Sequence, residues 1–168
     1  MRNKLAAGRA RLSNPRIQIR KIKKLTTEDV SALILNTSPW SNLGFTKKDA
    51  KQMAKTSQDR ELLGAYVGRE LVGFALYKFG FLGGAYLGNL VVKGSYRGHK
   101  IGEKLMRAME TQVFQKSKNL YLCVSSFNKG AQKFYRRLNY KKVGVLKALL
   151  VKKHDEYLFR KSRGPIRG

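Results

Sequence analysis

A nearly unbroken apolar run over residues 85–92 fixes more of this fold than any other stretch, because it leads through a short loop into a helix and a second strand. The run is too short for a buried helix and fits a strand covered on both faces. After Lys93-Gly94, the residues Ile101, Leu105, Met106, Met109, Val113 and Phe114 recur at helical spacing. Leu120, Leu122 and Val124 then alternate with Tyr121, Cys123 and Ser125, the period of a strand. Two strands joined through a helix pair in parallel by a crossover, here linking 85–92 to 119–124.

Around that unit the remaining pattern builds an α+β domain. Ile17, Ile19 and Ile22 open a first strand, and a helix begins at Thr27-Glu28-Asp29 and runs to Leu35 with acids in its first turn. Residues 46–53 read as a second helix, and 61–67 and 71–79 as a hairpin about Gly68-Arg69-Glu70. Ala131, Phe134, Tyr135 and Leu138 mark a shorter helix that Asn128 is placed to cap. Residues 142–151 and 156–159 pair as a last hairpin around Lys152-Lys153-His154-Asp155, which makes His154 a turn residue. The expectation is a mixed central sheet of about seven strands with flanking helices over residues 16–162. A basic arm, 1–15, precedes it, and a basic tail spans 163–168.

Charge and cysteine usage narrow the function. The 36 Lys and Arg against 10 Asp and Glu leave a net charge of +26, which favours anionic partners and repels polycations. Residues 1–24 alone carry nine basic side chains and no acid. Contact with nucleic acid or the ribosome, affinity for a phosphorylated cofactor, and a generally basic proteome all fit that balance. The single Cys123 cannot form an internal disulfide, and His99 and His154 stand apart from any zinc-ligand spacing, so no metal is expected. No run approaches the ~20 apolar residues of a membrane span and no secretory signal opens the chain, so the expected setting is cytoplasmic, with no membrane contact.

The stretch Val91-Val92-Lys93-Gly94-Ser95-Tyr96-Arg97-Gly98-His99-Lys100-Ile101-Gly102 runs from strand through a glycine-containing loop into a helix. At such a junction the first helical N–H groups lack partners and the helix dipole presents its positive end, so a diphosphate can be held by backbone donors. A Rossmann fingerprint would lie in the first strand–helix unit with an acid about 20 residues on, and this loop comes too late and lacks that acid. Arg97-Gly98-His99-Lys100-Ile101-Gly102 instead resembles the Arg/Gln-x-x-Gly-x-Gly/Ala signature of the GNAT superfamily of acetyl-coenzyme A-dependent N-acetyltransferases, with Lys100 where the signature most often has Gly. Asn128 to Tyr140 is similar to the same family's Asn-x-x-Ala-x-x-Phe-Tyr-x-x-x-Gly-Phe motif, with Asn139 in place of the final Gly.

The resemblance implies a GNAT fold with a splay between the fourth and fifth strands that admits acetyl-CoA. By resemblance Leu90, Val91, Val92 and Asn128 hold the pantetheine arm, and Arg97, Gly98, His99, Lys100, Ile101, Gly102 and Glu103 hold the diphosphate. Tyr135 stands where the family often places a tyrosine beside the thioester sulfur, and the Val92 N–H matches the donor to the oxyanion. Gly88, with Asn89 beside it, matches the strand position where many relatives carry a catalytic Glu, so no carboxylate is expected there. Tyr86 and Cys123 occupy places similar to the Tyr and polar residue that hold a water in some N-terminal amine acetyltransferases. Trp40 and Phe45 fall in the region that walls the acceptor in relatives.

Acceptor choice turns on basicity. Near pH 7 a lysine amine of pKa ~10.4 is neutral about once in 2,500, and an α-amine near ~8 about once in ten. A site without a strong base therefore suits a protein or peptide N-terminus. Acetylation of a small metabolite amine, or a basic RNA- or ribosome-binding role for the same fold, are the alternatives. The sequence leaves the oligomeric state open.

Overall fold

The computed structural model describes residues 15–35 and 37–167. The basic arm expected at 1–15 lies, apart from Pro15, outside them. The elements in chain order are β1 (Ile17–Lys21), α1 (Thr27–Ile34), α2 (Lys47–Ser57), β2 (Glu61–Val67), β3 (Glu70–Phe81), β4 (Gly84–Val92), α3 (Ile101–Lys116), β5 (Asn119–Ser125), α4 (Lys129–Arg137), β6 (Lys141–Val151) and β7 (His154–Ser162). Short 3-10 turns at Ser41–Leu43 and Gly94–Tyr96 complete the order.

Local chemistry explains the helix starts. Thr26 and Thr46 each accept a hydrogen bond from the N–H of Asp29 and Asp49, whose carboxylates accept back from the threonine N–H groups. Thr46 therefore caps α2 rather than belonging to it, and α2 runs on to Ser57, beyond the 46–53 expected. Asn128 Oδ1 accepts from the Ala131 N–H at 3.1 Å, which starts α4 as expected.

The seven strands form one sheet in the order β1-β2-β3-β4-β5-β7-β6, in which β4 and β5 are the one parallel pair among the described residues. This is the α+β arrangement expected, crossover included. Both hairpin turns are tighter than expected, two residues each at Gly68-Arg69 and Lys152-Lys153. His154 is accordingly not a turn residue: it opens β7, pairs with Val151 and lays its ring 4.6 Å from that of Phe127.

Strand alternation serves two cores. Phe74 and Leu76 face α1 and α2, together with Val30, Leu33, Ile34, Ala50 and Met53. Ala75 and Tyr77 face α3, where Ile101, Leu105, Met106, Met109 and Val113 are buried. Each such aliphatic side chain contributes about 1.5–3 kcal/mol. Gly73 is required between them, since a Cβ there would stand 2.6 Å from the Val91 carbonyl oxygen. After Ser162 the chain stays on the body, with the Arg163 N–H donating to the Lys118 carbonyl at 2.8 Å.

One feature of the sheet positions the site. The β4–β5 pairing holds only from Ala85–Leu120 to Leu87–Leu122, after which the strands part. Beyond Leu87 the apolar run is no longer sealed on both sides, and Gly88, Asn89 and Leu90 are half-buried. The carbonyls at the end of β5 and just past it are met by the buried Gln132, whose Nε2 donates to those of Ser125 and Ser126 at 3.2 and 3.0 Å.

Candidate active site

The split opens two cavities. The first, about 500 Å³, is bounded by Leu90, Val92, the loop residues Tyr96, Arg97, Gly98 and Lys100, the start of α3, and Phe134 and Arg137 of α4. The second, about 460 Å³, is bounded by Pro39, Trp40, Leu43 and Phe45, by β4 from Tyr86 to Leu90, by β5 from Leu122 to Ser125, and by Leu150, Val151 and Glu156. They share Pro39, Leu90, Asn128, Ala131 and Tyr135.

Main-chain donors furnish the first cavity. The earliest helical bond of α3 runs from the Lys104 N–H to the Lys100 carbonyl at 3.0 Å, which leaves the N–H groups of Ile101, Gly102 and Glu103 without intrahelical acceptors. Lys100 adopts φ +58° and Gly98 φ +86°, both left-handed. Lys100 thus takes the conformation that the usual glycine would take, at a cost of about 1–2 kcal/mol, and brings a cation to the cavity. The loop is pinned from outside by Glu70, whose carboxylate accepts from Lys93 Nζ and, at 2.9 Å, from the Tyr96 hydroxyl. Those bonds, Lys93 foremost, hold the Glu70 carboxyl below the usual range.

The remaining loop candidates divide. Arg97 lines the cavity and donates through Nη2 to the Ser38 carbonyl at 2.8 Å, tying the loop to the segment that carries Trp40. His99 turns back, its Nδ1 near the carbonyls of Tyr96 and Arg97 at 3.3 and 3.2 Å. Two carbonyl acceptors require that Nδ1 carry the proton. The Glu103 carboxylate is engaged by Arg107 at 2.6 Å, which holds its pKa down and offsets the negative charge beside an anion site.

On β4 the alternation sorts the main-chain groups. The Val91 carbonyl faces β3, next to Gly73, and its side chain lies in the core beneath α1 and α2. Leu90 and Val92, one residue to either side, turn their main-chain groups to the edge that β5 has left. Of the three candidates here, Leu90 and Val92 therefore line the opening and Val91 supports it from behind.

Tyr135 occupies the junction. Its ring is edge-on to Phe134 and Tyr140, with centroids 5.1 and 5.8 Å away, and burial pushes its phenol well above the ordinary value. Burial therefore favours the protonated phenol, which is a hydrogen-bond donor. In the second cavity the structure brings Tyr86 and Cys123 together as the sequence suggests. Burial, then Cys123, then Glu156 raise the Tyr86 phenol, and burial raises the Cys123 thiol. A Cβ at Gly88 would stand 3.2 Å from Arg60 Nη1, so the position expected to lack a carboxylate faces a cation instead. Trp40 and Phe45 meet edge-to-face at 5.2 Å and form one wall.

Two cavity residues are not signalled by the motifs. Arg137, in the last turn of α4, adds a third cation to the first cavity. Glu156, read from the sequence only as the start of a strand, is 2% exposed, and its Oε1 has no hydrogen-bond partner among the described residues. Burial raises its pKa, opposed by Ser125 on the neighbouring strand and by His154 on its own. Strand alternation sets residue 156 on the sheet face opposite Tyr157 and the buried Phe159, so no pattern in the sequence marks it as buried.

The chain matches the model of the acetyltransferase (GNAT) family over residues 26–140, a span that contains the split, the loop and α4. Its fold is similar to that of an aminoglycoside 6′-N-acetyltransferase complexed with coenzyme A, at 22% identity and TM-score 0.73 over 88% of this chain and 98% of that one. It is similar too to Ard1 from Thermoplasma volcanium, at 15% identity and TM-score 0.70 over 89% and 99%. An acetyltransferase from Thermus thermophilus gives 17% identity and TM-score 0.69 over 86% and 96%. No curated protein sequence matches the chain.

Proposed function

The chain belongs to the GNAT acetyltransferase family, and we propose that it moves the acetyl group of acetyl-CoA to a primary amine, the α-amine of a protein or peptide N-terminus, by direct attack in a ternary complex. The observation that carries this reading is the pair of cavities meeting at Leu90, Asn128, Ala131 and Tyr135. A thioester laid along one and an amine entering from the other reach each other without either leaving its site, which lowers the entropic part of the barrier.

The diphosphate of acetyl-CoA sits at the free N–H groups of Ile101, Gly102 and Glu103, with Arg97, Lys100 and Arg137 supplying charge. Gly98 permits the loop's close approach, and the His99 ring braces the loop carbonyls. The pantetheine amides pair with the open edge at Leu90 and Val92 and with Asn128. The Val92 N–H donates to the oxyanion of the tetrahedral intermediate, and the Tyr135 hydroxyl donates to the sulfur as it leaves. Tyr86 and Cys123 border the amine's approach.

The lining of the second cavity supports that acceptor class. Its wall of Trp40, Leu43, Phe45, Leu150 and Val151 suits an apolar side chain, and Glu156 is the one acid among the described residues that bound it. That fits one ammonium beside an apolar group, as at a peptide N-terminus, better than a polycation, which the net charge of +26 would also repel. The same charge supports a compatible second reading, contact with the ribosome or nucleic acid in the cytoplasm, which would weaken steeply with salt.

The test is incubation with isotopically labelled acetyl-CoA and a peptide library plus small amines, read by mass spectrometry. Labelled N-terminal α-amines are the expected result. Label confined to lysines or small amines would overturn the acceptor assignment.

A further inference from the structure

We propose that Glu156 is the proton acceptor of the reaction, taking a proton from the acceptor ammonium in the second cavity. The inference rests on the reading that this cavity receives the amine. Glu156 comes from β7, one strand beyond the β4–β5 split, and borders the same space as Tyr86, Cys123 and Tyr135. It pairs across β5 with Ser125, the last residue of that strand, so the carboxyl stands where the sheet ends its coverage and the cavity begins. A carboxyl 2% exposed, with Oε1 unpaired, is costly unless something brings it a proton or a cation.

The other polar groups near it do not fill that role. The Tyr86 phenol and Cys123 thiol are held protonated by burial and are donors there. His154, two residues away at the strand start, lays its ring on Phe127 and, like the Ser125 hydroxyl, favours the Glu156 carboxylate without bonding Oε1. Ser125 offers one hydroxyl, while the carboxylate has sites for about four donors. An arriving ammonium supplies what is missing.

Protons and electron pairs balance along one path. One N–H proton of the ammonium passes to the Glu156 carboxylate, freeing the nitrogen lone pair. That pair bonds to the thioester carbon, and the C–S bond breaks as the carbonyl re-forms. The thiolate, hydrogen-bonded by Tyr135, takes up a second proton from the new amide nitrogen. Glu156 then releases its proton to water, so the reaction yields amide, free coenzyme A and one proton. A base of raised pKa is better matched to an α-ammonium near ~8 than to a lysine near ~10.4.

Glu156→Gln should lower kcat/KM for the acceptor about 100-fold or more while the Kd of acetyl-CoA stays within about twofold. The pH profile separates catalysis from support. In the wild type kcat/KM should climb through the ionisation of Glu156 and level off well below the pKa of the amine. In Glu156→Gln it should keep climbing to that pKa, because only amine already neutral reacts. Glu156→Asp should lose about tenfold but keep the early levelling, and it serves if the Gln variant does not fold. A Gln variant within about threefold of wild type with the same profile, or an Asp variant as fast as wild type, overturns the proposal. If the wild type acetylates only small amines, the peptide reading fails and the same profiles are read on that amine. If it acetylates no amine, both fail.

Discussion

The two cavities meet at four side chains and the Pro39 turn, yet they are built by opposite means. The coenzyme side is mostly main chain: free N–H groups at one helix start, an unpaired strand edge, and three cations at its rim. The acceptor side is mostly side chains, drawn from 39–45, 86–90, 122–125, 150–151 and 156, with a buried acid in its lining and the Arg60 cation beside Gly88. A site for a ligand common to the whole family can be made of backbone, which substitution leaves in place. A site that must choose its acceptor has to be made of side chains.

The largest expected effect falls where the two sides join. If the Tyr135 hydroxyl donates to the departing sulfur as proposed, Tyr135→Phe should cut turnover about 100-fold and leave acetyl-CoA affinity within about twofold. Single-turnover rates beside calorimetric Kd values check this, and full turnover in the variant under chemistry-limited conditions would remove Tyr135 from the mechanism.

Next come substitutions that should affect one side only. Arg97→Ala should raise the Kd of acetyl-CoA about five- to tenfold at low salt and less at high salt, as loss of a surface cation does. Trp40→Ala should instead raise acceptor KM about tenfold, since an apolar wall is lost, and barely alter coenzyme binding. If Arg97→Ala moves acceptor KM as strongly, the bond from Arg97 to the Ser38 carbonyl makes the 37–45 segment common property of both sides.

That division also governs what the chain discloses when read as a string. The crossover over 85–124 and the helix starts at Ile101 and Lys129 are legible because each depends on neighbours in sequence, a strand's period, a glycine or a cap, while the place of Tyr135 comes from the family motif. The Tyr86–Cys123 pair is offered only by the family resemblance, and the two side chains do border one cavity. Glu156 is not legible, because a glutamate at a strand start ordinarily faces water, and its burial comes from a cavity it shares with Trp40, Phe45 and Val151, which no local pattern ties to it. His154 is obscured for a related reason: Lys152-Lys153-His154-Asp155 has the composition of a four-residue turn, and only the pairing of His154 with Val151 shows that the turn is two residues long.

A smaller effect tests the buried acid through stability. Burial raises the folded pKa of Glu156 above its unfolded value, so the native state holds that proton more tightly than the unfolded chain. Stability is therefore lost as pH rises from the ordinary carboxylate range through the raised value. Glu156→Gln, neutral at every pH, should melt about 2–4 °C higher than wild type near pH 8, corresponding to roughly 1 kcal/mol. The gap should close below about pH 4. A gap independent of pH would mean that the carboxylate is not strained in the native state.

The smallest effect concerns Lys100, where the backbone-built side departs from its own logic. At φ +58° a lysine bears about 1–2 kcal/mol of left-handed strain, part of which glycine would return as greater freedom in the unfolded chain. Lys100→Gly should therefore raise the melting temperature by only about 1–3 °C. It should also weaken acetyl-CoA about threefold, because the cation leaves with the side chain. Lys100→Ala removes the same charge but keeps the strain, so it should match the weaker binding without the gain in stability. If the alanine variant binds acetyl-CoA as well as wild type, the loop owes its grip to the free N–H groups of α3 alone, and Lys100 is there for something other than the diphosphate.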